Sequence, residues 1–192
     1  TAKSFYAALV GISLDKGEID SLDDPVAKYV PQYDEGEKKN ITIRQILNMT
    51  SGLEFPSHEH EMMFFEADHL AYAYTVDVEN KPGEVFQYNN VNSMLMGEIL
   101  KGATGKTAKQ LIEERLFRKI GLKNYTAWED EAGNTLTYCC LDMSARDYSR
   151  FGLLFSRDGN WNGDQVISKN YVDESLKLYW GSTPSMGWTH SD

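Results

Sequence analysis

Three observations in this sequence predict a mainly α chain. Apolar residues recur at helical spacing in about six separate segments. Ser, Thr, Asp or Asn stands at the head of most of them, and extended-strand signals are short and confined to two places.

Between Lys3 and Lys16, Phe5, Ala8, Leu9 and Ile12 fall at i, i+3, i+4 and i+7, the stripe of a helix packed on a core, and Gly17 ends it. Ser21-Leu22-Asp23-Asp24-Pro25-Val26 is a turn-rich entry to a short helical or irregular stretch that closes near Pro31. Thr42-Ile43-Arg44-Gln45 fits a capping box for a short helix to about Met49, stopped by Ser51-Gly52. A longer helix is predicted over Glu61 to Tyr74, where Met62, Phe65, His69, Tyr72 and Ala73 share a face whose aromatics read as core. Pro82-Gly83 turns the chain into the short extended run Val85-Phe86-Gln87-Tyr88, and Asn89-Asn90 caps a helix from about Val91 to Lys101, ended by Gly102 and Gly105. Thr107-Ala108-Lys109-Gln110 is a second capping box, for a helix through about Phe117. Ser144 opens a helix carrying Tyr148, Phe151, Leu154 and Phe155. Asn160-Trp161-Asn162-Gly163 reads as a hairpin turn, and Ser168 caps the last helix, to about Leu178. Strands are expected only within Tyr125 to Cys140 and beside Asn162-Gly163. No boundary between two full domains is visible, so 1–192 reads as a single region.

Composition narrows the function classes. With 41% hydrophobic residues, 15 Gly and 5 Pro in 192 residues, the chain has the makeup of a globular region with a core. Its 19 basic against 29 acidic residues leave a formal charge of −10, which argues against a nucleic-acid backbone or anionic lipid as partner. No apolar run approaches the roughly 18 residues of a membrane span. Cys139 and Cys140 are adjacent and cannot staple distant segments; two free thiols are expected in preference to a vicinal disulfide.

Several chemistry-bearing patterns are weak. His58, His60 and His69 with neighbouring Glu residues match no zinc spacing, so no metal is expected. Gly102-Ala103-Thr104-Gly105-Lys106-Thr107 only superficially resembles a phosphate-binding loop and follows a helix rather than a strand. A stronger signal comes from Lys3 together with Tyr88-Asn89-Asn90. A lysine in the first turn of a helix sits at the positive end of the macrodipole, where an anion is favoured, so its presence there needs a reason.

These residues resemble the serine β-lactamase and penicillin-binding-protein superfamily, in particular its class C-like esterases, D-peptidases and 6-aminohexanoate hydrolases. The wording Lys3-Ser4-Phe5-Tyr6-Ala7-Ala8-Leu9-Val10-Gly11-Ile12 with Asp15-Lys16-Gly17 is similar to the continuation of that family's S-x-x-K motif. The likeness runs on through Ser21 to Val26, Ile41 to Leu47, Met49 to Leu53, Phe86 to Asn90, and Ser144-Ala145-Arg146-Asp147 with Arg150-Phe151-Gly152, covering most of the chain to about Leu178. The resemblance implies the helical region of the β-lactamase/transpeptidase-like α+β fold, with most of its antiparallel sheet absent from this chain. It implies Lys3 as the motif lysine, Tyr88 as the catalytic tyrosine of Y-x-N and Asn90 as its substrate-binding asparagine.

The implied reaction is attack of a serine on an amide or ester, an acyl-enzyme and its hydrolysis, with a small-molecule amide or ester as partner and no cofactor. The same motifs serve β-lactams, D-peptides, short-chain esters and linear amides; the wording near Lys3 and around Trp128, Asp130 and Gly133 leans to the 6-aminohexanoate hydrolase and esterase branch. Such proteins are often bacterial and periplasmic or secreted, with the cytoplasm open as a setting.

Two departures shape the expectation for this chain. The motif serine belongs immediately before Thr1, and the third motif, K-T-G or H-x-G on a strand, is not supplied from Trp180 to Asp192, where Thr189-His190-Ser191 is no substitute. An internal fragment, inactive alone, is therefore expected, its rival being a non-catalytic acidic helical binding module. Ser13-Leu14-Asp15-Lys16 also satisfies S-x-x-K, but at the C-terminal end of its helix, where no dipole or oxyanion donor favours an alkoxide.

Overall fold

The computed structural model describes residues 2–55 and 59–177. Its first helix, α1 (Ala2–Asp15), is buried far beyond the one stripe its spacing predicts: Phe5, Tyr6, Ala8, Leu9, Val10 and Ile12 are all shielded from solvent. The reason lies in what surrounds it. Phe5 stacks on Phe151 at 3.9 Å between ring centroids and meets Tyr148 and Phe117 edge-on at 5.7 and 5.9 Å. On another face Tyr171 lies over Gly11, where a β-carbon would come within 2.3 Å of its ring, and its hydroxyl donates to the Ala7 carbonyl at 2.6 Å. Full burial of a Phe side chain contributes about 1.5–3 kcal/mol, so this aromatic collar is a main source of cohesion.

After α1 come three single 3₁₀ turns, at Val26–Lys28, Pro31–Tyr33 and Lys38–Asn40. Helix α2 (Ile43–Leu47) carries the expected capping box: the Gln45 N–H donates to the Thr42 hydroxyl and the Thr42 N–H to the Gln45 side chain. The helix expected over Glu61 to Tyr74 is in fact two, α3 (Glu59–Phe65) and α4 (His69–Thr75). Asp68 divides them, because its carboxylate accepts the Leu70 and Ala71 N–H groups at 3.1 and 2.9 Å and so acts as an N-cap. The expectation that Phe65 belongs to the core is also overturned. With α3 ending there its ring is 79% exposed, while Met63 is buried.

Helix α5 (Asn90–Thr104) is capped by Asn89 and runs to Thr104, three residues beyond the predicted Lys101, with left-handed Gly105 as its C-cap. Gly102 does not terminate it. A β-carbon there would lie 2.0 Å from the Tyr29 carbonyl oxygen, so this glycine admits close packing of the 26–30 turn against α5. Helix α6 (Ala108–Leu111) starts at the second capping box and runs through one π-helical stretch (Ile112–Phe117) into α7 (Arg118–Ile120).

Strand β1 (Tyr125–Ala127) pairs antiparallel with β2 (Leu141–Met143), just past the expected window, with Thr126 opposite Asp142. Helix α8 (Ala145–Ser156) follows from its Ser144 cap, then β3 (Asn160–Trp161) and β4 (Asp164–Gln165) form a hairpin whose turn residues Asn162 and Gly163 both have positive φ. Helix α9 (Lys169–Ser175), capped by Ser168, closes over α1. Helices thus dominate the described residues, beside two small antiparallel pairs. None of these helices is long and apolar enough to cross a membrane.

Candidate active site

Lys3, in the first turn of α1, is half-buried and its ammonium donates to the Tyr138 carbonyl at 2.6 Å. The same nitrogen lies 4.9 Å from the centroid of the Tyr88 ring. A carbonyl dipole and an aromatic face together stabilise a cation at the unfavourable end of the helix dipole, which is the reason the sequence left open.

Tyr88 reaches this point because its neighbours are tied down. The segment before α5 is extended, so side chains alternate sides. Gln87 and Asn89 face inward: the Gln87 N–H donates to the Met49 carbonyl at 2.9 Å and its side-chain amide to the Phe55 carbonyl at 3.2 Å, while the Asn89 amide donates to the carbonyls of Leu53 and Glu54, both at 3.3 Å. The Asn89 oxygen accepts the Val91 N–H at 2.8 Å and starts α5. Tyr88 and Asn90 take the opposite side, and Tyr88 is 45% exposed. Lys3, Tyr88 and Asn90 line one open pocket of about 560 Å³, with Phe64, Phe65, Tyr138, Cys139 and Cys140 completing its wall.

The support under Lys3 was not legible in sequence. Thr137 is buried and its hydroxyl donates to the Ser93 carbonyl at 2.6 Å, pinning the 135–140 segment to α5. The Tyr138 hydroxyl is 2.9 Å from Nδ1 of His69, and burial, aided by the negative charge of Asp130, pushes its pKa up to about 12. A neutral phenol is thereby maintained as one half of a buried polar pair. Next to it the structure corrects an expectation: Cys139 and Cys140 are disulfide-bonded, not free thiols. Cys140 has φ 63°, a turn that lets the sulfurs of neighbouring residues meet. An aromatic or thiol signal for Tyr138 and the cysteine pair exists only in their types; nothing in local spacing ties them to Lys3, which is 135 residues away.

Other candidates resolve differently. Ser13 is fully buried and accepts from Arg115 at 3.0 Å; the same guanidinium grips Glu18 at 2.5 and 2.8 Å. That hydroxyl has no open face for an acyl group. His69 is engaged with Tyr138, while His58 and the side chain of His60 lie outside the described residues, as do Thr1 and the stretch from Trp180 to Asp192. Among the described residues no group of three or more His, Cys, Asp or Glu is placed to hold a metal ion. The Gly102–Thr107 stretch forms the end of α5, its Gly105 cap and the Thr107 N-cap of α6, with the Thr104 hydroxyl donating to the Leu100 carbonyl at 2.7 Å.

The Beta-lactamase family profile matches residues 1–178. Protein flp of Staphylococcus aureus (strain MW2) is 28% identical over 113 residues, 55% of this chain and 23% of that protein. A Bacillus anthracis protein assigned as a 6-aminohexanoate-dimer hydrolase superposes with a TM-score of 0.82 at 22% identity, over 90% of this chain and 50% of its own. A D-stereospecific amidohydrolase from a Streptomyces species superposes with a TM-score of 0.73 at 20% identity, over 90% and 62%. The chain therefore spans about a quarter of that curated relative and half or a little more of these solved structures.

Proposed function

This chain belongs to the beta-lactamase family, and from that premise we propose that the protein it forms is a serine hydrolase of amides or esters in which Lys3 and Tyr88 do acid–base work and Asn90 holds the substrate. The observation that carries this reading is the convergence of Lys3 with Tyr88 and Asn90 in one open pocket, the ammonium 4.9 Å from the tyrosine ring. A serine three positions before Lys3, immediately ahead of Thr1, would stand on the same face of α1 as the lysine, since residues three apart on a helix are neighbours.

The chemistry follows from that placement. The serine oxygen attacks the substrate carbonyl while its proton passes to the Tyr88 oxygen, which acts as base with the Lys3 cation beside it. The proton then moves to the departing amine or alcohol, leaving an acyl-serine, and water attacks this ester with its proton taken by the same base. Asn90, at the first turn of α5, supplies an amide to orient the substrate carbonyl group. The similar solved structures, one assigned as a 6-aminohexanoate-dimer hydrolase and one as a D-stereospecific amidohydrolase, support amides as the substrate class.

The test uses the full-length protein with its native flanks. Mixing it with p-nitrophenyl acetate should give a burst of p-nitrophenol equal to the enzyme present, and mass spectrometry should place the acyl group on the residue before Thr1. A different residue at that position, or no burst with any ester, β-lactam or amide, defeats the reading in favour of a binding module that keeps the fold.

A further inference from the structure

The disulfide between adjacent cysteines sits in the pocket wall directly after the residue whose carbonyl holds Lys3. Both cysteines are half-buried, so a small reagent entering the pocket meets them. The ring that the disulfide closes contains the Cys139–Cys140 peptide itself, so the bond and the local backbone direction form one unit. On either side that backbone is fastened: the Cys139 N–H donates to the Leu136 carbonyl at 3.3 Å, and the Cys140 carbonyl accepts the Trp128 N–H at 3.1 Å. Cys140 meanwhile holds φ 63°, a left-handed conformation unfavourable for a non-glycine residue. The Tyr138 carbonyl belongs to the same peptide group as the Cys139 N–H, immediately ahead of the disulfide ring, and accepts from Lys3 at 2.6 Å.

We propose that Cys139–Cys140 is a thiol–disulfide modification site whose redox state sets the position of Lys3, its substrate being a dithiol reductant small enough to enter the pocket. A thiolate of the reductant attacks one Sγ, the Sγ–Sγ bond breaks, and the other cysteine leaves as a thiolate. The second thiol of the reductant then displaces the first cysteine and closes its own disulfide. Net, two electrons and two protons pass from the dithiol to the pair. With the ring open, Cys139 and Cys140 regain independent backbone rotation, Cys140 relaxes from its left-handed turn, the peptide group carrying the Tyr138 carbonyl turns against its long 3.3 Å bond to Leu136, and the lysine amine becomes more accessible. The consequence for hydrolysis rests on the role proposed for Lys3; the link between the cysteines and Lys3 does not.

The experiment therefore reads Lys3 directly. Folded full-length protein, purified without reductant, is compared before and after dithiothreitol treatment and gel filtration, with thiols counted by a colorimetric disulfide reagent. Lys3 acetylation by a brief pulse of acetic anhydride is followed by peptide mass mapping against exposed Lys39 as control. The pair should be unreactive before treatment and yield its two thiols after it, and Lys3 acetylation should rise about fivefold, the worth of one ordinary hydrogen bond, while Lys39 is unchanged.

Resistance of the pair to reduction in the folded protein, or equal Lys3 labelling in both states, overturns the proposal. A Cys139→Ser/Cys140→Ser variant should label at the reduced level and ignore dithiothreitol; a persisting dithiothreitol effect in that variant also overturns it. If the variant does not fold, the wild-type comparison decides alone. Hydrolysis of p-nitrophenyl acetate should fall about fivefold on reduction. Hydrolysis absent in both states, with the labelling change present, would count against the hydrolase reading and leave the redox link standing.

Discussion

The two ends of α1 carry closely similar wording and opposite environments. At its start, Lys3 stands where an S-x-x-K motif would place its lysine, and the chain opens there into a pocket walled by Tyr88, Asn90, Phe64 and Phe65. At its end, Ser13 and Lys16 complete the same four-residue pattern within the chain. Yet Ser13 is fully buried against a guanidinium that also grips Glu18, and Lys16 points to solvent. Spacing alone puts serine and lysine on one helix face in both cases. What separates a candidate catalytic constellation from a structural contact is the space beside it and the groups that converge on it from elsewhere in the chain.

The sharpest way to break this comparison is to remove each lysine in turn. Lys3→Ala in the full-length protein should lower kcat/KM for p-nitrophenyl acetate by about 100-fold or more, the usual worth of a positioned acid–base group. Lys16→Ala should change it by less than about twofold, as expected of an exposed charge distant from the reaction. Equal losses from the two would erase the distinction between the ends of the helix. Tyr88→Phe should follow Lys3→Ala in size, again about 100-fold. With the ring 45% exposed and its neighbours Gln87 and Asn89 making the anchoring bonds, the thermal midpoint should stay within a few degrees.

What could be read from sequence divides along the same line. The capping boxes at Thr42 and Thr107, the Asn89 cap and the Asn162-Gly163 hairpin were legible because each is a local contract between a side chain and backbone a few residues away. The break at Asp68 was missed because apolar spacing from Met62 to Ala73 continues across it, and periodicity carries no record of a carboxylate turning back to cap. Gly102 misled for the opposite reason: a glycine near a helix end reads as a stop, whereas here the Tyr29 carbonyl needs the room. Lys3, Tyr88 and Asn90 were named from motif wording. The floor beneath them was not, since Tyr138, His69 and the cysteine pair meet Lys3 only through long-range packing.

Next in size is a backbone test of the pocket's own scaffold. Gly52 has φ +76°, and a β-carbon there would lie 1.9 Å from the Asn80 carbonyl oxygen, while its own carbonyl accepts the N–H groups of Glu79 and Asn80. Gly52→Ala should therefore cost about 2–3 kcal/mol in denaturant unfolding, through the clash and the left-handed conformation together. Because Asn89 and Gln87 are anchored on residues 53 to 55, hydrolysis should fall with it. At the other end of α1 a change of similar stability cost should leave activity of the remaining folded protein intact. Gly11→Ala, which drives a β-carbon to 2.3 Å from the Tyr171 ring, supplies that control at about 1–3 kcal/mol.

The smallest effect belongs to the closed end and fixes its character. Arg115 holds Glu18 through both terminal guanidinium nitrogens, and that hydrogen bonding keeps the Glu18 carboxyl below the usual carboxylate range. A carboxylate whose folded pKa is depressed contributes stability that is fully present above its unfolded pKa, about 4.3, and is lost as pH falls through the folded value. Glu18→Gln should thus destabilise by about 1 kcal/mol at pH 7, the modest figure reflecting partial solvent exposure of the pair, and the difference from wild type should shrink as unfolding is measured below pH 4 or so. Ser13→Ala, leaving the Arg115–Glu18 pair intact, should cost no more than about 1 kcal/mol and leave the ester burst unchanged. Loss of that burst in Ser13→Ala, with folding preserved, would move the nucleophile to the buried end of the helix and reverse the reading of the two motifs.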